Sequence, residues 1–335
     1  MKTSIILDEI DRDAVRPAKE FSRYAEYLRF DLARLLIEDE VRWIERDCPG
    51  CCYQGAPVLF HKDGVTYHDC PRCFTRFVSP VPEQAALDVL GVRGRAAQFR
   101  RHLFEQRLKE RFQASLRTNV LDWLLQRCDE NSVGGRSYCE IGGENLGWFA
   151  DVAENRLFEQ VTLVSPIPTV LETPGVRQVG SLEQAGQGFD VLVTHTALDR
   201  HSDPDGLLGQ MADHLAPGGL LAITAACASG LEHRLLGRDA PSLLPLDRLT
   251  VFSVEGIQTA LERHGLRVIE LSTPGRMDVE TVASYLAERV PQETGGGDFW
   301  RYLMGRSDPM LRRNLQIFLQ ENLLSSYLRV AAIKV

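Results

Sequence analysis

The sequence predicts a doubly wound α/β domain preceded by a small metal-stapled module, and three observations carry that reading. From about residue 131 to the last residue, apolar runs of strand length alternate with helical patterns. Near-continuous apolar strands separated by helices imply a parallel sheet covered on both faces. The first of those runs ends in a glycine-rich turn, RSYCEIGGENLG at Arg136–Gly147, and four of the eight cysteines form two paired knuckles upstream of it.

At 335 residues the chain is too long for one ordinary core, which suggests two domains or one large domain with an appendage. A hydrophobic fraction of 44% and a charged fraction of 25% are those of a globular protein. The net charge of −8 argues against bulk affinity for nucleic acid or membranes. The opening MKTSIILDEIDRD has a short apolar run followed by acids, so neither a signal peptide nor a membrane span is visible, and the expected location is the cytoplasm.

In order along the chain, residues 1–47 read as an N-terminal helical segment, with apolar residues at helical spacing from Phe21 to Ile44. Its helices can pack on the next module or on another subunit, giving a homo-oligomer. Residues 48–83 read as a zinc ribbon. CPGC and CPRC supply Cys48, Cys51, Cys70 and Cys73 at spacing Cys-x2-Cys-x18-Cys-x2-Cys, around a strand-turn-strand stretch, VLFHKDGVTYHDC. Two such knuckles complete a tetrahedral site for structural Zn2+ and staple a hairpin too small to fold alone; four protein thiolates leave no open position for catalysis. Cys52 follows the first knuckle where glycine is usual, and His61 and His68 read as hairpin residues rather than ligands. Cys128, Cys139 and Cys227 fall singly in apolar stretches and read as core. Residues 84–130 form a helical connector whose Arg100, Arg101, Arg107, Lys109, Arg111 and Arg117 read as a solvated face or as a contact for an anionic substrate.

Residues 131–335 carry the α/β pattern. Glu140, Gly142, Gly143 and Gly147 describe strand, tight turn and helix start, where unpaired N–H groups and glycines without side chains admit a ligand to the main chain. Strands follow at 161–164, 176–179, 189–194, 220–224, 266–271 and over the last nine residues. Asp203-Pro204 and Ser253 mark helix starts, Gly265 a helix stop. A helical insertion, 276–322, lies before the last strand and is placed to cap the sheet's carboxyl edge, with ETGGGD at 293–298 as a flexible joint.

Together EIGGENLG (140–147), FDVLVTHTALDRHSDPDGLL (189–208), LAPGGLLAIT (215–224), FSVEGIQTALERHGLRVIELSTPGRMDVE (252–280) and the closing SSYLRV resemble the class I S-adenosylmethionine-dependent methyltransferases, especially the bacterial type with an N-terminal zinc ribbon. The resemblance implies a Rossmann-like seven-stranded methyltransferase sheet with an antiparallel last strand inserted between strands five and six. It also implies S-adenosylmethionine over Glu140–Gly147 and a small-molecule acceptor such as a sugar, a lipid-linked intermediate or another secondary metabolite. The cofactor motif is degenerate: Glu144 stands where the family has glycine, and Ser165 where it has an acidic residue that grips the ribose. His195, Asp199 and His201, after the fourth strand, are the candidate bases. A nicotinamide dehydrogenase fits less well, because its G-x-G-x-x-G turn would also need glycine at 144. The alternative to an active methyltransferase is a catalytically inactive member of the same fold, acting as a zinc-containing binding or assembly module for a protein partner.

Overall fold

A computed structural model describes residues 1–7, 17–103, 118–142, 152–153, 157–166, 175–288, 297–306 and 308–335. Its strands are β1 (Trp43–Ile44), β2 (Val58–Lys62), β3 (Val65–Asp69), β4 (Arg76–Val78), β5 (Val81–Pro82), β6 (Ser137–Ile141), β7 (Gln160–Val164), β8 (Val176–Val179), β9 (Phe189–His195), β10 (Leu215–Ala226), β11 (Thr250–Val251), β12 (Leu266–Ser272) and β13 (Tyr327–Lys334).

Seven of them form the main sheet, in the order β12-β13-β10-β9-β6-β7-β8. β6, β7, β8, β9 and β10 pair in parallel, whereas β13 runs antiparallel between β10 and β12. The expected seven-stranded α/β arrangement is therefore the one present. Alternation along each strand feeds two cores. Cys139, Leu192, Leu221, Ile223 and Val330 pack on one face, and Tyr138, Val191, Val193, Ala222 and Ala331 on the other. The central strands are buried on both faces, which is why they read as apolar runs, whereas the edge strand β8 is only partly buried and carries Arg177 and Gln178.

The helix boundaries follow the local chemistry. The Asp203 carboxylate accepts the Gly206 N–H at 3.0 Å with Pro204 at the first helical position of Pro204–His214. The Ser253 hydroxyl accepts the Gly256 N–H at 2.8 Å at the start of Val254–Arg263, and Gly265 leaves that helix with φ +72.

Two local readings are corrected. Val41–Ile44, given helical spacing in the sequence, lies beyond the Ala18–Ile37 helix, and Trp43–Ile44 pairs antiparallel with Val81–Pro82. Sheet pairing satisfies that backbone where a helix end would leave carbonyls open. β10 begins at Leu215 rather than Leu220, with a register break between these residues where Gly218 takes φ +76.

The ribbon is a four-stranded sheet, β11-β4-β3-β2. Its hairpin turns on Asp63 and Gly64, both with positive φ (49 and 92), as a two-residue β-turn of the right twist requires. β11 comes from far downstream and pairs Thr250 with Phe77 and Val251 with Arg76. One further core joins the N-terminal helix (Leu28, Leu32), the ribbon (Tyr67, Val78), the segment after β10 (Leu231, Leu249) and the insertion (Val282, Leu319).

The insertion consists of helices Asp278–Glu288, Gly297–Gly305 and Pro309–Glu321. The buried Asp278 carboxylate accepts the Ser326 N–H at 2.7 Å, the Gln316 amide at 3.1 Å and the Ser325 hydroxyl. These bonds pin the insertion to the start of β13, at the carboxyl edge of the sheet. Residues 293–296 of the ETGGGD joint lie outside the described residues.

Candidate functional site

β6 lies between β7 and β9, so the order of the chain reverses at its carboxyl end. In open α/β sheets this switch point leaves a crevice where ligands bind. Gly142 sits there with φ +70, its N–H donating to Val164 O at 3.0 Å. A side chain is disfavoured at that φ; among the described residues the Ala197 Cβ is the group near it, at 3.8 Å. Gly143, Glu144 and Gly147 lie outside the described residues.

Glu140 is fully buried one residue inside the strand end and accepts the Tyr138 hydroxyl at 2.6 Å. Burial, and then the neighbouring Glu140 carboxylate, push the Tyr138 phenol well above its ordinary value. Ser165 directly follows β7, is buried, and donates its N–H to Val179 O at 2.9 Å.

A second group of candidate residues lies at and beyond the ends of β9 and β10. His195 pairs in register with Thr224, and its Nδ1 lies 2.9 Å from the Thr224 hydroxyl. Burial drives this imidazole well below its ordinary value, so it is neutral at pH 7. Together with Trp123, Tyr138 and Val193, these two side chains line a small cavity beneath the Thr118–Glu130 helix.

Asp199 and His201 are held by other contacts. The fully buried Asp199 accepts the Ala226 N–H at 3.1 Å and lies 3.5 Å from Arg248, while its own carbonyl accepts the Leu249 N–H at 2.7 Å. Burial, opposed by Arg248, pushes its carboxyl up to about 7. The His201 Nδ1 lies 3.0 Å from the Asp203 N–H, and burial lowers that imidazole. Thus His195 alone of the three bonds across the face of the sheet, whereas Asp199 ties the ends of β9 and β10 to the 247–249 segment.

Sequence reasoning missed Asp247. It is buried and meets Arg200 at 2.7 Å, Arg248 at 3.0 Å, the Tyr24 hydroxyl at 3.0 Å and Arg100 at 3.9 Å. Burial alone would raise it, but Arg200, Arg248 and Arg100 hold it well below the usual carboxylate range. A lone acid among leucines and prolines carries no motif.

The second site is the cysteine cluster. The sulfurs of Cys48, Cys51, Cys70 and Cys73 all lie within 4.8 Å of one another, with Cys48–Cys73 and Cys51–Cys70 each at 3.5 Å. A tetrahedron with Zn–S bonds of about 2.3 Å places its sulfurs roughly 3.8 Å apart, so the donor set fits zinc. The two knuckles repeat each other. Cys52 and Phe74, each following the second cysteine, have φ of 57 and 60 and donate to Cys48 O and Cys70 O at 2.8 Å. Both histidines of the hairpin are engaged elsewhere, His61 with Thr66, and His68 with Ala56 O and Ser79 O. The Ser253 hydroxyl donates to Cys73 O, and the half-buried Arg46 guanidinium donates to Val78 O, Ser202 O and Leu249 O, which fastens the ribbon to the sheet domain.

A family profile described as a methyltransferase domain matches residues 104–271, half of the chain, and the chain belongs to that family. Similar solved structures include an S-adenosylmethionine-dependent methyltransferase from Mesorhizobium loti (17% identity, 63% of this chain and 97% of that one, TM-score 0.40). Another is the geranyl diphosphate C-methyltransferase of Streptomyces coelicolor A3(2) with Mg2+, geranyl diphosphate and S-adenosyl-L-homocysteine (14% identity, 69% and 85%, TM-score 0.43). A third is phosphoethanolamine N-methyltransferase 2 of Haemonchus contortus with S-adenosyl-L-methionine (19% identity, 63% and 52%, TM-score 0.41). No curated protein matches the chain. No helix among the described residues is long and apolar enough to cross a membrane.

Proposed function

We propose that this protein transfers a methyl group from S-adenosylmethionine to a small-molecule acceptor such as a sugar, a lipid-linked intermediate or a secondary metabolite, and that its cysteine cluster holds one structural zinc. The observation that supports the first half is the crevice at the end of β6, where Gly142 has positive φ at the switch point of a seven-stranded methyltransferase sheet. When bound, the sulfonium supplies a methyl group activated for displacement. The chain supplies the remainder: a main chain without a side chain at Gly142, Ser165 after β7, and His195 as a neutral imidazole at the end of β9. With that group bound, His195 would accept the proton that the acceptor gives up as it is methylated. Alignment and proton removal are what such a site adds. Asp199 and His201 are less well placed for that step because their contacts run to Arg248, Ala226 and Asp203.

Titration calorimetry with S-adenosylhomocysteine on the parent and on Ser165→Asp tests the reading. The parent should bind weakly and the variant about tenfold more tightly, since a hydrogen bond to a charged group is worth about 1.5–3 kcal/mol. Absence of binding by both proteins would favour the non-catalytic module, which Ser165 in the place of an acid already supports.

A further inference from the structure

We infer that Tyr138 is a positioning residue that holds the Glu140 carboxylate as a fixed negative charge beside Gly142, for the cationic methyl donor; this rests on the methyl-transfer reading of the crevice. Residues two apart on a strand share a face, so the phenol and the carboxylate lie on the same side of β6. The Tyr138 hydroxyl donates to Glu140 Oε2 at 2.6 Å, and both side chains are buried. An ionised carboxylate can only accept, so the donor in this pair is the phenol. That donor is rigid. Its ring packs in one core with Trp123, Leu124 and Val191 and lies 5.1 Å, centroid to centroid, from the Phe158 ring. The strand register holds Tyr138 itself between Val161 and Val191.

Glu140 has no packing reason for its place. Its partners on the neighbouring strands are Leu163 and Val193, and a charge among such side chains is costly unless it is hydrogen-bonded. A glutamate side chain also has several torsions, and it occupies many rotamers unless something holds its end. The bond to Tyr138 reduces both costs. A ligand cation arriving beside Gly142 then meets a carboxylate that is already ordered, so less ordering remains for the binding step. Among the described residues, the titratable groups around the pair are neutral at pH 7. His195 lies two residues beyond Val193 on the same face of β9, with its imidazole lowered by burial, and burial pushes the Cys128 and Cys139 thiols up to about 12. The charged cluster of Arg127, Glu270 and Arg329 is remote: Arg329 and Glu270 stand on β13 and β12, three and four strands from β6.

Two measurements on the full-length protein test this. The first needs no ligand: the glutamate side-chain carboxyls are labelled with 13C and titrated, and Glu140→Gln assigns the Glu140 signal by its loss. Tyr138→Phe keeps the ring and removes the hydroxyl. Losing a bond to the charged form should raise the Glu140 midpoint by about one pH unit or more. An unchanged or lowered midpoint overturns the inference. Should Tyr138→Phe fail to fold, a ring-fluorinated tyrosine in place of Tyr138 donates more strongly and should lower the midpoint, and no change or a rise overturns the inference. The second measurement is calorimetry with S-adenosylhomocysteine at several pH values. Tyr138→Phe should bind about tenfold more weakly at neutral pH, with the acid limb of its affinity profile displaced upward by the same interval as the carboxyl midpoint. The double variant Tyr138→Phe/Glu140→Gln should bind no more weakly than Glu140→Gln, because Tyr138 acts through that carboxylate. Equal affinity in the parent and Tyr138→Phe, or losses that add in the double variant, overturns the inference alone. A parent that binds no S-adenosylhomocysteine removes the methyl-transfer reading and this cofactor role together, while the carboxyl titration separately shows whether Tyr138 holds Glu140.

Discussion

The cysteine cluster and the crevice at β6 are both built at strand ends, yet they assemble their chemistry in opposite ways. In the cluster, four thiols come from two short loops of the same shape, and each loop's backbone bonds close within itself, from Cys52 to Cys48 and from Phe74 to Cys70. At the crevice end of the sheet, Glu140, Ser165 and His195 come from β6, the end of β7 and β9, and Ser165 and His195 are engaged by neighbours that only the folded sheet brings near. A closed site is thus written in local spacing, and an open one in topology and register. The two nevertheless share structure, because β11 completes the ribbon sheet and the preceding Leu249 bonds Asp199, at the crevice end of β9.

That shared segment makes the largest expected effect one that crosses from the first region to the second. The double variant Cys70→Ser/Cys73→Ser should lose its zinc and several kcal/mol of stability, since apparent zinc-binding free energies are about 10–16 kcal/mol in zinc-finger peptides. It should also lose ligand binding in the crevice, as β4 no longer holds β11 and the 247–249 segment. Metal analysis, thermal unfolding and calorimetry on one preparation check this. Full metal occupancy would remove the assignment of the ligands, and loss of metal with ligand binding intact would show that the two regions are energetically separate.

A smaller effect separates the two buried acids that connect them. Asp247 is held low by three arginines, whereas Asp199 is raised by burial to about 7. Between about pH 4 and pH 7 the folded state retains the Asp199 proton that the unfolded chain has released, so this group makes stability fall as pH rises through that window. Asp199→Asn cannot titrate. Its stability relative to the parent should therefore improve from pH 4 to pH 8 by a few kcal/mol, because each tenfold difference in proton affinity between the folded and unfolded chain is worth about 1.4 kcal/mol. Denaturant unfolding at several pH values checks the sign, and a constant difference would mean that Arg248 keeps Asp199 ionised throughout.

The same contrast accounts for what was legible in the sequence. The central strands were readable because both of their faces are buried, so each is an apolar run whatever its neighbours, and the edge strands β8 and β12 were readable from their place in the alternation with helices. The convergence of Cys48, Cys51, Cys70 and Cys73 was readable because two paired knuckles around a hairpin bring four thiols together. Asp247 was not, because Tyr24, Arg100 and Arg200 lie far from it along the chain and converge on it only in the fold. The two residues of β11 carry too little pattern to announce that they join the ribbon, and the two of β1 were absorbed into a helical period. The link from His195 to Thr224 needs the β9–β10 register, which periodicity alone does not supply. The Tyr138–Glu140 bond was within reach: residues two apart on a strand share a face, and a buried carboxylate needs a donor.

The smallest effect returns to the ribbon and sharpens the claim that its two knuckles are one design. Cys52 and Phe74 occupy equivalent left-handed positions, with φ of 57 and 60, where an L side chain is strained by about 1–2 kcal/mol. Cys52 is exposed and lies outside the cluster of four thiols. Cys52→Gly should relieve the strain at the cost of about 0.5–1 kcal/mol of extra freedom in the unfolded chain, leaving a net gain of roughly 0.5 kcal/mol and no change in metal content. Phe74→Gly relieves the same strain but also removes a ring that the Arg234 guanidinium covers, 5.8 Å from its centroid, and so should gain less or lose. Chemical denaturation of the two variants beside the parent, with zinc measured in each, reads both differences. A loss of zinc in Cys52→Gly would make Cys52 a ligand and break the equivalence of the knuckles. A gain in Phe74→Gly as large as that in Cys52→Gly would show that the Arg234 contact contributes nothing.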